Sequence, residues 1–183
     1  MASKIKVDQI QTADGSGTIA LQNQLSGMTH ASVPTLTTGH MPAGSVIQVQ
    51  SRTTTTGTTV TSTSLVDTDV YVDITPQFAD SKILVIVNAQ TRTYGWFRAT
   101  LSRRDSSNTK LLDQLNATNG SHDYGVVNET EGRYPVSISV LDSPATTSAR
   151  KYRIDIRKYS SSGICNFPEG GYSANIIAME IAG

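Results

Sequence analysis

Leu65-Val-Asp-Thr-Asp-Val-Tyr-Val-Asp-Ile74 is the stretch that decides the fold. Val66, Thr68, Val70, Val72 and Ile74 fall on one face of an extended chain, and Asp67, Asp69, Tyr71 and Asp73 on the other. Side chains alternate across a strand, so this is a strand with one face toward a core and one toward water. The same period of two recurs outward in both directions. Ser45-Val-Ile-Gln-Val-Gln reads as a first strand. Lys82-Ile-Leu-Val-Ile-Val-Asn is apolar on both faces, which predicts a central strand covered on both sides. Tyr94 to Arg103 places Phe97, Ala99 and Leu101 inward and Trp96, Arg98 and Thr100 outward. Val136, Ile138 and Val140 alternate with Ser137 and Ser139, and Tyr152, Ile154 and Ile156 with Lys151, Arg153, Asp155 and Arg157. Asn175 to Ile181 closes the series. Thr53 to Ser64 is nearly all Thr, Ser and Gly, a polar loop or weak edge strand. About eight strands separated by turn residues, with no useful 3.6 period, predict an all-β, antiparallel sandwich, with a jelly roll as the preferred topology.

The 183 residues divide by texture. Residues 1–25 hold two short apolar pieces around Thr12-Ala-Asp-Gly-Ser-Gly and read as a hairpin. Ile5, Val7, Ile10, Ile19 and Leu21 are its apolar residues. Two such strands are not stable alone in water, so they need a partner surface or copies of themselves. Residues 26–44, rich in Gly, Pro, Ser and Thr, read as a linker. Residues 45–183 form the head. The opening Met1 to Asp8 lacks an apolar core of signal-peptide length.

Composition narrows the function. Fifteen Lys and Arg balance fifteen Asp and Glu. Zero net charge argues against nucleic acid, whose phosphates need a cationic surface. About a quarter of the residues are Ser or Thr, and no run has the length of a transmembrane helix. Cys165 is the single cysteine, which excludes an intrachain disulfide and reads as a small packing residue.

The motifs point away from catalysis. His30, His40 and His122 are far apart and lack metal-site spacing. Asp67, Asp69 and Asp73 share one face, and carboxylates at i and i+2, such as Asp67 and Asp69, lie about 7 Å apart, close enough to suggest a bridging cation, although a solvated face that discourages aggregation is the simpler reading. Phosphate-binding and nucleophile-elbow motifs are absent. The expectation is a non-enzymatic chain without metal or cofactor. The aromatic residues Tyr94, Trp96, His122, Tyr124 and Tyr134 lie in or beside polar stretches, where rings with nearby polar groups suit contact with a sugar. Packing in a core or subunit interface is the competing reading for Trp96.

Four stretches, in order, span the chain end to end. They are Ser3-Lys-Ile-Lys-Val-Asp-Gln-Ile with Ala13-Asp-Gly-Ser-Gly-Thr-Ile-Ala-Leu-Gln-Asn, Pro42-Ala-Gly-Ser-Val-Ile-Gln-Val-Gln, Ile74-Thr-Pro-Gln-Phe-Ala-Asp-Ser-Lys-Ile-Leu-Val and Ile177-Ala-Met-Glu-Ile-Ala. The ordered set resembles a recurring module in tail-fibre and other virion structural proteins of tailed phages, especially those of marine bacteria and cyanobacteria. The resemblance implies a homotrimer with a β-sandwich head and an N-terminal segment docked on other virion proteins of the tail or capsid. It also implies a role in adsorption to the host, where the aromatic residues named above would meet a surface glycan. A capsid decoration protein and a trimeric jelly-roll lectin are the alternatives. The expected location is the virion, assembled in the host cytoplasm, with no membrane insertion.

Overall fold

The computed structural model describes residues 41–112, 123–124, 131–159 and 163–183. These residues form eleven strands and no helix: β1 Val46–Thr54, β2 Thr58–Val60, β3 Val66–Ile74, β4 Lys82–Thr93, β5 Phe97–Arg104, β6 Lys110–Leu112, β7 Asp123–Tyr124, β8 Gly132–Asp142, β9 Arg150–Lys158, β10 Cys165–Phe167 and β11 Ala174–Ile181. They build a β-sandwich of two antiparallel sheets. In the first, β11 lies between β1 and β4, β8 runs along the other edge of β4, and β10 continues beside β4 and carries β2. In the second, β9 lies between β3 and β5, and β6 and β7 share the far edge of β5.

The pairings are nested. β1 pairs with β11, β3 with β9, β4 with β8, and β5 with β6 and β7. A chain folded once upon itself and then wound into two sheets gives this nesting.

The alternation seen in sequence is what fills the space between the sheets. Val70, Val72 and Ile74 of β3, Ile83, Val85 and Val87 of β4, and Phe97, Ala99, Leu101, Tyr152, Ile154 and Ile156 share one core, all nearly without exposure. Each large side chain buried this way contributes about 1.5–3 kcal/mol.

Three expectations are corrected. The strands number eleven among the described residues because β2, β6, β7 and β10 are too short to show a period. The strand expected from Tyr94 starts at Phe97, because Gly95 turns the chain at φ +82°. Among the described residues of the single chain, β4 is central within its sheet and is covered on one face only, with outward Leu84 and Ile86 half-buried.

The two ends of the sandwich differ. At one end the chain enters β1, where Gly44 N–H donates to Ala182 O and Ala182 N–H to Ser45 O, both at 2.9 Å. At the other end gather the β4–β5 turn, β2, β10 and the start of β8.

Candidate interaction surfaces

The loop end collects most of the aromatic residues expected from sequence. Tyr94 and Trp96 flank Gly95 in the β4–β5 turn. Tyr94 N–H donates to Ile164 O at 3.1 Å and Tyr159 N–H to Trp96 O at 3.2 Å, tying the turn to the β9–β10 connection. The Tyr94 ring lies over Gly163, where an added Cβ would come within 2.7 Å of it. Trp96 is 45% exposed, so it is not a core residue. Tyr134 lies across from Thr91 on β8, and Tyr124 pairs with Phe97 through the backbone of β7. His122 and the docking residues Ile5, Val7, Ile10, Ile19 and Leu21 lie outside the described residues.

Beside the aromatics, an ordered polar cluster sits on the outward face of the first sheet. Thr59, Asn166, Arg92 and Arg133 stand in one cross-strand row. Two arginines directly opposite repel, and here carboxylates neutralise both. Arg92 donates to Glu131 at 2.7 Å, and Arg133 Nε reaches both oxygens of Glu169 at 2.8 and 2.9 Å. Glu169 is held in turn by its own N–H on Gln90 O at 2.8 Å. Tyr172, 45% exposed, lies under the Arg133 guanidinium at 5.8 Å. A shallow depression of about 360 Å³ is lined by Gly57, Thr59, Arg92, Asn166, Glu169 and Gly170. Sequence reasoning missed Arg92, Arg133, Glu169 and Tyr172. The available signal was Arg92, a charge near the end of a strand whose first half, Ile83 to Val87, is apolar.

The outward face of the second sheet is ionic. Asp67 accepts from Arg104 at 2.6 and 2.7 Å and from Arg153 at 2.9 Å. The Arg104 guanidinium beside it holds its carboxyl down at about 2. Asp69 accepts from Arg52 at 2.9 and 3.0 Å and from Thr54 at 2.8 Å, bridging β1 and β3 across the open side of the sandwich. Asp73 lies 3.7 Å from Lys151. Tyr71 takes the Arg52 guanidinium at 3.8 Å from its ring centre. The three carboxylates are therefore occupied by cationic side chains, which makes the face an ion-pair network rather than a simply solvated one. Beneath it Asp155, with no exposure, accepts from Arg104 at 2.6 Å and lies 3.1 Å from Lys110 Nζ. Burial pushes the Asp155 carboxyl up, against the pull of Arg104 and Lys110.

Cys165 is fully buried on β10, 3.4 Å from the Thr91 hydroxyl, and burial pushes its thiol up. A thiol held protonated in this way is a poor nucleophile and a good packing residue.

No protein-family model matches the chain, and no curated protein matches it either.

Proposed function

We propose that this chain is a non-enzymatic structural protein of a virus particle, a trimeric fibre of a tailed phage. Residues 1–25 anchor it to tail or capsid proteins, and the loop end of the jelly roll is presented to the host surface. The observation that carries this reading is the separation of the two ends. The chain enters β1 beside Ala182, whereas Tyr94, Trp96, Arg92, Arg133 and Tyr172 gather at the other end. β4, with twelve residues, makes the separation roughly 40 Å. A fibre head needs attachment at one end and recognition at the other. Exposed rings beside guanidinium, amide and carboxylate groups fit a host glycan, whose sugars offer apolar faces and hydroxyls together. Three copies would turn weak contacts into avidity. The ordered sequence resemblance to phage fibre proteins supports the same assignment.

The test is immunogold labelling of phage particles that carry the gene, with antibody raised against the loop end. Gold at the outer tips of fibres is the expected result. Gold spread evenly over the capsid would favour a decoration protein instead, and unlabelled particles would remove the virion assignment.

A further inference from the structure

The outward face of the first sheet changes character along its length. Toward the loop end it holds the Arg92 and Arg133 ion pairs. Toward the chain-entry end it holds a cross-strand row of four apolar residues, Val49, Met179, Leu84 and Leu141. The next row has Ile177 and Ile86 at its centre, between Ser51 and Ser139. The row beyond carries uncharged hydroxyls and amides. Val49 and Leu141 are 52% and 53% exposed. These side chains alternate with Ile83, Val85, Ile176 and Ala178, which fill the core. They therefore point away from it. Four strands about 4.8 Å apart and three rows about 7 Å apart make a patch on the order of 400 Å² without a formal charge. Six of its side chains, Val49, Met179, Leu84, Leu141, Ile177 and Ile86, are apolar and adjacent rather than scattered singly, and such a cluster marks a contact.

We propose that this face is where a second copy of the chain docks, and that the copies of the trimer meet through it. The inference rests on the oligomeric reading above and specifies its contact. Charge complementarity selects the occupant. The outward face of the second sheet carries Asp67, Asp73, Lys151, Arg153 and Arg157. Pressing it against Leu84 and Met179 would strip water from charges without replacing it. Of the two broad faces of this chain, only the first sheet's, beyond its ion pairs and Lys82, offers another copy an uncharged surface. In a closed ring the Val49 side of one copy meets the Leu141 side of the next, a head-to-tail contact that cyclic symmetry requires. Area explains why the contact needs the rest of the chain. With half of each patch used per contact, each contact of the ring buries on the order of 400 Å², less than the ~1,200 Å² typical of interfaces that hold unaided. Copies tied together through residues 1–25 experience an effective concentration in the millimolar range, which closes a weak contact.

The test uses the full chain and the fact that Cys165, its one cysteine, is buried. Leu141→Cys and Val49→Cys place a thiol on the proposed contact. Asp73→Cys, whose parent side chain is 58% exposed, places one on the ionic face. Mass by light scattering and the rate of reaction with N-ethylmaleimide are read on the same samples. We expect three times the 19.6 kDa chain mass, with the Leu141 and Val49 thiols reacting at least tenfold more slowly than the Asp73 thiol. A Leu141 or Val49 variant that falls to single-chain mass, while the unsubstituted protein holds three, counts for the inference as well. Equal rates at all three positions in an intact trimer would overturn it and leave the oligomeric reading standing. A single-chain mass for the unsubstituted protein would remove that reading, and the inference with it.

Discussion

Asp155 is a carboxylate with no exposure, and Arg104, 4% exposed, is the side chain that makes this tolerable. Arg104 also binds Asp67, so one guanidinium serves two carboxylates on adjacent strands. A buried charge left without its partner is far more costly than the intact pair is stabilising. Arg104→Met is therefore expected to lower unfolding free energy by about 3 kcal/mol in urea titration. Asp155→Asn added to that variant should recover about half of the loss, and the absence of any recovery would show that the pair is not coupled. The same variant has a signature in acid. Asp67 titrates at about 2 in the folded protein, below its ordinary 3.8. Its contribution is complete above the ordinary value and is lost as pH falls toward 2. Without Arg104 the folded value moves back up, so acid unfolding should begin at higher pH. Asp67 is nearly half exposed, and solvent screening keeps its own share small.

At the level of elements, the loop end is held by turns whose glycines do different work. Gly95 and Gly163 both have positive φ, +82° and +69°. A Cβ on Gly95 meets open space, while one on Gly163 meets the root of the Tyr94 ring. Gly95→Ala is expected to cost about 1 kcal/mol from the backbone alone. Gly163→Ala should cost at least ~1 kcal/mol more, because the ring must also shift. Thermal melts of the two variants side by side check the difference, and equal losses would mean that the ring contact is dispensable. The elements also show what was legible beforehand. β3 was readable because one face is core and the other carries carboxylates. β2 and β10, three residues each, hold too few positions for a period to emerge, and only pairing with β4 and each other makes them strands. β4 was read as covered on both faces because Leu84 and Ile86 are as apolar as Val85. Sequence records that a face avoids water without recording what covers it. Tyr94, Trp96 and Tyr134 stood out as aromatics in polar surroundings. Glu169 and Arg133 did not, because the chain winding alone brings them together.

For the molecule as a whole, the nesting of pairs gives the last strand a central place. β11 lies between β1 and β4 and supplies Ile176 and Ala178 to the core. Removing residues 174–183 would detach β1 from its sheet and open the sandwich along its length. Such a chain is expected to lose the dispersed amide spectrum of a folded head in NMR. A retained spectrum would mean that β1 re-pairs directly with β4. Nested pairing also joins residues far apart in sequence, Val46 with Ile181, which makes the fold slow to form relative to chains built from local contacts.

The bonds that tie Gly44 to Ala182 and Ala182 to Ser45 bring the way into the head and the way out of it to the same spot. The head is therefore a cassette. It can be spliced into an exposed turn of an unrelated protein through two short joints without stretching either partner, and it will carry its loops to the far side of whatever receives it.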